Sequence, residues 1–341
     1  MSISGIGGSN LFAHIESAYG GVPTVTESAV INIPVRSGAI PSANYNRVSS
    51  RVVGDYIDRS STYRVRSSVA GSFSFNPTSH VTNANDIHKM AGVGHNLTTD
   101  NYSSLNSYSM FLPMVEGGNT ITTGRASKGI IFHGMMATQY TLSLPSDNAL
   151  LDSSISFIGQ KITDTNTGGT EENEWKEIIT NDSNRTDVRK LGQPFETWTA
   201  LISFGGATNW MSVNSMSINI ANNLIPSNFT TSGLNTTKPT VADRNVTGTF
   251  TVPYSSGATG QTYQQLLALV ESNTNQQKQI IIELTSSKDI TKKITITMPK
   301  VVLMQGQSLN SITAGYSPMS FSFKAFGEIG TSNQEIVINN S

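Results

Sequence analysis

Cysteine is missing from this chain of 341 residues, and charged residues make up only 13% of it. Without cysteine the protein has no disulfide bond, no zinc–thiolate site and no thiol nucleophile. An ordinary soluble domain carries roughly 25% charged residues, so about half of the usual charge is absent. With a formal net charge of −1, the surface must depend on uncharged polar groups for its contact with water.

Long apolar runs are missing too. None approaches the ~20 residues that a membrane-spanning helix needs, so we expect no membrane segment. The first ten residues, MSISGIGGSN, have neither the basic region nor the apolar region of a secretory signal, and we expect a flexible N-terminal arm there. An isoelectric point near 6.5 indicates no overall basic surface for nucleic acid.

Sequence patterns that carry chemistry are also absent. The five histidines show no metal-ligand spacing such as HExxH. No GxSxG elbow occurs, and the GIGG at 5–8 follows no strand and precedes no Lys-Ser/Thr pair. Carboxylates are few and scattered, so no acid/base pair can be nominated. We therefore expect no catalytic, metal or cofactor site, and a protein that is not an enzyme.

Serine (45), threonine (38) and asparagine (30) make up a third of the chain. They alternate with apolar residues in SFSF at 72–75, YTLSL at 140–144, MSINI at 216–220, ITITM at 294–298 and FSF at 321–323. This period of two predicts strands with one apolar and one polar face, typical of antiparallel sheets. Only 84–91 and 262–271 have the pattern of a short helix, and the first should end at Gly92.

The two halves of the chain resemble each other. VAGSFSF at 69–75 aligns with VTGTFTV at 246–252, an offset of 177, and the same offset superposes the two helical segments. ISFIG at 155–159 aligns with FKAFG at 323–327. Shared composition is the alternative explanation, but one offset that carries both a strand and a helix favours a duplicated domain. Duplication also makes closed, symmetric assembly plausible.

A polar stretch separates the halves. It contains Gly168 and Gly169, an acidic cluster and a basic trio, a composition typical of a linker or exposed loop. Trp175 indicates that part of it packs against the rest of the protein. We place the first domain, with its N-terminal arm, at 1–162, the polar linker or insertion at 163–193, and the second domain at 194–341.

A long segment precedes the repeated strand in each half. Residues 47–66 carry five arginines, whereas the counterpart at about 222–244 is almost uncharged. Both exceed a hairpin loop of 2–5 residues, and long loops often carry function. We interpret them as contacts with a neighbouring subunit or ring, with a solvated loop or hairpin arm as the alternative; nucleic-acid binding lacks an aromatic platform. The candidate contact residues are Arg47, Arg51, Asp55, Arg59, Asn222, Asn223, Asp243 and Arg244.

Three stretches resemble bacteriophage tail tube (major tail) proteins of the two-domain type. The first is RVRSSVAGSFSF at 64–75 with the helix after it, and the second runs from IFHGM at 131–135 through QYTLSL at 139–144 to 153–159. The third is VNSMSINIANNLIP at 213–226 with DRNVTGTF at 243–250. A strand ending in Asn-Asn-Leu, a long loop and a Gly-containing strand recur in that family.

The resemblance implies a mainly β fold: two tandem antiparallel β-sandwich or half-barrel domains, each with a short helix, that assemble into a ring-shaped β-barrel tube. The chain would be a homo-oligomer in the virion, made in the host cytoplasm, with a trimer of pseudo-sixfold symmetry favoured over a hexamer. Further partners would be the tail terminator, baseplate or tip and tape-measure proteins, and viral DNA passing through without sequence-specific binding.

Two further expectations follow. Because each contacting lysine or arginine would hold phosphate, we expect a lumen poor in both.

The competing function is a β-rich adhesin or carbohydrate-binding fibre, which would need clustered exposed aromatics. Trp175, Trp198 and Trp210 show no such cluster in the sequence.

Overall fold

The computed structural model of the chain describes residues 10–25, 29–50, 61–78, 80–93, 105–114, 128–146, 150–164, 175, 194–205, 210–225, 237–253, 266, 268, 270–271, 277–306, 318–327 and 334–341. Almost all of this part is antiparallel β-structure, which confirms the mainly β prediction. The five alternating segments noted above all lie within strands.

The elements follow one another along the chain in a mixed pattern of long and short strands. In the first half they are β1 Asn10–Ile15, β2 Ile31–Ser50, β3 Ser61–Phe75, α1 Val81–Met90, β4 Tyr108–Met114, β5 Lys128–Leu144, β6 Asp152–Gly159 and β7 Lys161–Asp164. In the second half they are β8 Thr197–Phe204, β9 Trp210–Ser212, β10 Ser215–Ala221, β11 Leu224–Ile225, β12 Thr240–Val241, β13 Asn245–Pro253, β14 Lys278–Ser286, β15 Lys293–Gly306, β16 Pro318–Phe326 and β17 Val337–Asn340.

The first half closes on itself. Strand pairing runs β1–β2–β3–β6–β5–β4 and back to β1, so six strands form a complete circuit. Closure is possible because β2 and β5 are long: β2 pairs with β1 at its start and with β3 from Val35 onward, and β5 pairs first with β4 and then with β6. The second half repeats this order as β9/β10–β13–β16–β15–β14–β8, with β9 and β10 together taking the place of β2.

Irregularities recur at matching places in the two circuits. Between β4 and β5 the register shifts between Tyr108 and Met110, and between β14 and β15 it shifts between Lys278 and Ile280. Each circuit also has an extra residue at a second equivalent place, namely Thr138 of β5 where it pairs with β6 and Met304 of β15 where it pairs with β16. A β-bulge is a specific local geometry, so its recurrence shows that the two halves share register as well as strand order.

The register corrects one alignment made from the sequence. Gly71 pairs with Phe157, and its counterpart Gly248 pairs with Phe323. Phe157 and Phe323 are therefore equivalent, an offset of 166, whereas the sequence comparison placed Phe157 opposite Ala325. The error is two residues, so every side chain stays on the same face of its strand, and the alternating pattern could not reveal it.

Helix α1 begins at Val81, three residues before the predicted segment 84–91. The N-cap is His80, whose Nδ1 accepts from the Asn83 amide at 3.3 Å. Asn83, in the first turn, uses its side chain to bond both backbone groups of Asn32 in β2. The helix ends at Met90, and Gly92, where the sequence predicted the end, follows it with a φ of 87°. The described residues of 266–271 are also helical.

The hydrophobic core is continuous across both halves. Inward residues of alternating strands are fully buried in each circuit, and they form one cluster that includes the side chains of α1. Phe250 stacks on Phe321 with ring centroids 5.5 Å apart. Because the apolar side of every central strand faces this cluster, the opposite side is left for polar groups.

Candidate assembly surface

The two circuits are joined edge to edge by β5 and β10. Residues 139–144 of β5 pair antiparallel with residues 216–221 of β10, from Gln139 opposite Ala221 to Leu144 opposite Met216. The first part of β5 is already occupied by β4, so β10 takes the edge that β4 leaves uncovered. We call this junction the internal seam. It makes one continuous sheet of the strands β2, β3, β6, β5, β10, β13, β16 and β15.

One side of this sheet carries polar side chains in rows that run across the strands. Their alternation with buried residues keeps all of them on the side away from the core. We call the two rows the polar face. One row comprises Ser74, Ser154, Thr141, Asn219, Thr247 and Lys324, and the other comprises Asp152, Ser143, Ser217, Thr249 and Ser322.

Hydrogen bonds link neighbouring side chains of the polar face. The Thr141 and Ser154 hydroxyls are 2.6 Å apart, and Gln139 donates to Asn219 at 2.6 Å across the internal seam. The two charged members stand at row ends. Asp152 accepts from Arg36 at 2.9 Å, and the ammonium of Lys324 lies 5.5 Å from the centre of the Phe326 ring. The middle of the face is therefore uncharged.

Asn222 follows β10 and closes the end of the internal seam. Its backbone N–H donates to the carbonyl of the bulge residue Thr138 at 2.8 Å. Its side-chain amide donates to the carbonyls of Ala137 at 2.9 Å and Ala91 at 3.2 Å. The sequence predicted a contact with a neighbouring subunit for Asn222, but the side chain is fully buried and its amide is engaged within its own chain.

Asn223 is exposed and adopts a left-handed φ of 39°, a conformation that asparagine tolerates better than most residues. Its carbonyl accepts from Ala242 at 3.3 Å, beside the short pair β11–β12. Asp243 is exposed next to it. These two candidate contact residues therefore lie together on the surface at one end of the second half, and their role between subunits stays a prediction.

Arg244 points inward. Its side chain is 4% exposed, and Nε lies 3.8 Å from the Glu335 carboxylate, whose side chain is 11% exposed. Burial lowers the pKa of Arg244, and the nearby Glu335 opposes that shift. In the free chain Arg244 thus belongs to an internal ion pair at the start of β13.

The basic segment lies on a two-stranded ribbon. Beyond Val69, where β3 leaves β6, β2 and β3 continue as a pair as far as Ser50 opposite Ser61. Seven residues of strand extend about 20 Å. Arg47 is in this ribbon, opposite Arg64, and its contact with a neighbouring subunit stays a prediction. Arg51, Asp55 and Arg59 lie outside the described residues. A two-stranded ribbon is marginally stable alone, which is consistent with a role in contacts.

The family model described as "Phage tail tube protein" matches residues 8–324. The chain belongs to the phage tail tube protein family. No curated protein matches it. One solved structure, the six-fold symmetrised cryo-EM structure of the anti-feeding prophage baseplate, has a similar chain at 10% identity and a TM-score of 0.27. That match covers 41% of this chain and 90% of the other, and the low TM-score gives it no weight.

Family membership confirms the resemblance and the expectation that this tail tube protein is structural and not an enzyme. It is a component of phage tails. Within the described residues, no group of three or more His, Asp or Glu side chains could hold a metal ion. Of the helical segments that the structure describes, none is long and apolar enough to span a membrane.

A buried polar cluster holds the first circuit of the tail tube protein together, and the sequence did not indicate it. Glu16, after β1, accepts from Ser109 at 2.9 Å and from the amides of Gly134 and Gly20 at 2.8 and 2.9 Å. The Ser109 hydroxyl is 3.1 Å from Nδ1 of His133. Burial, aided by Lys161, lowers the pKa of His133 to about 4. Ser109 lies between Glu16 and His133. In a catalytic triad the base would lie between the nucleophile and the carboxylate, so this cluster does not have that arrangement.

A second buried histidine ties α1 to β5. His88 Nδ1 lies 3.0 Å from the Tyr140 hydroxyl, which is 3.4 Å from the Ser153 hydroxyl. Burial lowers the pKa of His88 to about 4 and raises that of Tyr140. These partners are far apart in the chain, so no local pattern could have found them. Both networks join elements that are far apart in the chain.

Trp175 anchors the polar insertion. It is fully buried and stacks on Phe111 with centroids 5.6 Å apart, in a small cluster with Phe12, Val25 and Ile131. The prediction that part of the insertion packs against the protein is confirmed at this residue. A buried tryptophan is unavailable to a carbohydrate ring, so this residue gives no support to the adhesin alternative.

Proposed function

We propose that three copies of this tail tube protein form a ring, and that rings stack into the hollow tube of a phage tail. The observation that carries the proposal is the continuous eight-stranded sheet, apolar on one side and covered on the other by the polar face. A sheet of this width has two edges in the free chain. Closure into a barrel removes them, which an antiparallel protein must otherwise do by local protection.

The repeated circuits support a trimer of pseudo-sixfold symmetry. Strand order and bulge positions occur twice in one chain, and we infer that the chain is a duplicated tube domain, with domains at 1–162 and 194–341. Three chains then supply six similar domains and about 24 sheet strands, since eight come from each. A barrel of that size would enclose a wide aqueous channel rather than a packed interior.

In this ring the polar face lines the lumen and viral DNA passes along it. Hydroxyl and amide groups exchange their hydrogen bonds with water easily and add no ionic attraction to phosphate. Each phosphate held by a lysine or arginine would add a salt-dependent binding term. The middle of the polar face has no such cation, so DNA would move without sequence-specific or strong non-specific binding.

The ends of the tube need other partners. We propose that the β2–β3 ribbon, with Arg47, and the surface around Asn223 and Asp243 contact the next ring. The terminal rings would meet the tail terminator and the baseplate or tip protein, and a tape-measure protein would occupy the lumen before DNA. The subunit would be made in the host cytoplasm and function in the virion.

Electron microscopy of the purified chain tests the proposal. We expect negatively stained rings or tubes with a central hole, threefold rotational symmetry in averaged end views, and a ring mass of three chains. Six chains per ring would replace the trimer with a hexamer. Discrete monomers or solid fibres at all protein concentrations would contradict a tube subunit.

A further inference from the structure

We infer that the junction between subunits copies the internal seam: residues 304–306 of β15 pair antiparallel with residues 43–45 of β2 in a second copy of this chain. The register places Gln305 opposite Asn44 and Gly306 opposite Ala43. This inference rests on the proposed ring and adds which strands meet and in which register.

Two sheet edges are available for this junction. Within the described residues, β14 covers one edge of β15 only as far as Val301, and β16 and β17 occupy the other edge. Likewise, β1 covers one edge of β2 only as far as Pro34, and β3 occupies the other from Val35 onward. At the internal seam, the strand equivalent to β2 lies on the equivalent edge of β5. Among the described residues, these two uncovered edges correspond to the two strands that meet at the internal seam.

The register follows from the shared bulge. On β5, Ala137 pairs with Phe157 and Gln139 pairs with Ser156, so Thr138 between them is the extra residue. On β15, Leu303 pairs with Phe323 and Gln305 pairs with Ser322, so Met304 is the extra residue. Gln139 and Gln305 are therefore equivalent, and Tyr140 corresponds to Gly306.

The other strand is placed through β3 and β13. Asn245 pairs with Ala221, and its equivalent Ser68 pairs with Asn44. Because Ala221 stands opposite Gln139 at the internal seam, Asn44 stands opposite Gln305 at the junction between subunits. Pro41 lies just before this segment, and a proline in a strand is typical of an edge that is not paired along its whole length.

The two seams differ at the bulge, which gives the junction its own chemistry. At the internal seam the bulge residue is Thr138, held by Asn222. At the junction the bulge residue is Met304, which is 61% exposed in the free chain, and the position of Asn222 is taken by Tyr45. Where the internal seam has Thr138 and the buried Asn222, the junction thus has the exposed Met304 and an aromatic residue, a pair suited to an interface. Met304 should lose its exposure to solvent when the ring closes.

Cysteine cross-linking tests the register, because the chain has no cysteine of its own. In tubes of the N44C/Q305C variant, mild oxidation should give covalent oligomers up to the ring size on a non-reducing gel, since directly opposite residues have Cβ atoms about 5 Å apart. Each single variant should stay monomeric on the gel. The variant A221C/Q139C is the matched control, because it places cysteines at the same point of the internal seam and should cross-link only within one chain. The variant N46C/Q305C, displaced by two residues, should cross-link at least about tenfold less.

Oxidation of Met304 gives a readout without mutation. Peptide mass spectrometry after brief peroxide treatment should show sulfoxide at Met304 forming several-fold more slowly in tubes than in free subunits. Equal rates would overturn the inference, as would tubes of N44C/Q305C that do not cross-link while A221C/Q139C does. Either result leaves the tube itself intact, whereas failure of the unmodified protein to form rings would contradict the proposed function instead.

Discussion

Asn222 and Ala137 connect the two halves of the tail tube protein: the Asn222 side chain donates to the Ala137 carbonyl at 2.9 Å, beside the bulge of β5. The same amide reaches Ala91 at the end of α1. One buried side chain thus joins β10 of the second circuit to a strand and a helix of the first.

Replacing Asn222 with alanine should destabilise the protein by about 1–3 kcal/mol, because two buried carbonyls lose their donor. Chemical denaturation followed by circular dichroism measures this change in the free energy of unfolding. S217A, a substitution of a half-buried residue on the polar face, is the control and should change stability by less than about 0.5 kcal/mol. An unchanged denaturation midpoint for N222A would mean that the side-chain hydrogen bonds of Asn222 add no net stability.

Gly248 should not tolerate a side chain. A Cβ there would lie 2.5 Å from both the Ser217 carbonyl oxygen and the Phe323 ring, and the first of these is backbone and cannot turn away. We expect G248A to cost about 1–3 kcal/mol through overpacking and to lower the thermal midpoint. T249A, at the exposed neighbouring position, should be close to neutral. A normal midpoint for G248A would show that β10 and β13 can separate at no cost.

The Arg244–Glu335 pair should behave as a buried ion pair. Removing one partner leaves the other charge buried and uncompensated, which typically costs about 3–5 kcal/mol. We expect R244M and E335L each to be strongly destabilising and the double variant to be less so than the sum. A double-mutant cycle in urea measures the coupling free energy. Additive effects would show that the two groups, 3.8 Å apart, do not interact.

Stability should fall at acid pH because of the buried histidines. Burial lowers the pKa of His88 to about 4, whereas an unfolded histidine has a pKa of about 6.5. The unfolded chain therefore binds the proton first, and the free energy of unfolding should fall by up to ~3 kcal/mol between pH 6.5 and pH 4. H88Q should show a shallower pH dependence over this window in denaturation curves. If H88Q and the unmodified protein have the same slope, His88 is not the group that titrates.

A cation in the middle of the polar face should slow DNA. T249R places a guanidinium at an exposed position of one row, where it would bind phosphate in a salt-dependent way. Phage assembled with T249R should form normal tails but lose at least about tenfold in plating efficiency, and the loss should ease in high salt during ejection in vitro. T249Q is the uncharged control of similar reach. Equal plating of the two variants would contradict a lumen position for this residue.

The alternating segments made the strands predictable. SINI around Ser217 and FSF around Ser322 place every second side chain in the core, because the pleat of a strand has a period of two. The end of the helix just before Gly92 was predictable for a similar local reason. The true helix start was not, since Asn83 in its first turn is held by bonds to Asn32, 51 residues earlier.

The candidate contact residues show where local reasoning ends. The sequence predicted Asn222 and Arg244 as loop residues because their neighbours are polar. Both side chains are nevertheless buried against distant partners. Asn223, one residue away from Asn222, is exposed. Adjacent polar residues in an irregular segment face opposite ways, and only the strands packed around them decide which.

By itself, the sequence determined the mainly β fold, the polar and apolar faces and the similarity of the two halves, because these depend on side-chain period and composition along short stretches. Only the tertiary structure decided that each half closes into a circuit, that β5 and β10 make one sheet of both, and that Phe157 and Phe323 are equivalent. Hydrogen-bond register between strands is set by contacts between residues far apart in the chain. A slip of two residues leaves the polar pattern of a strand unchanged, so no pattern within it could reveal its partner.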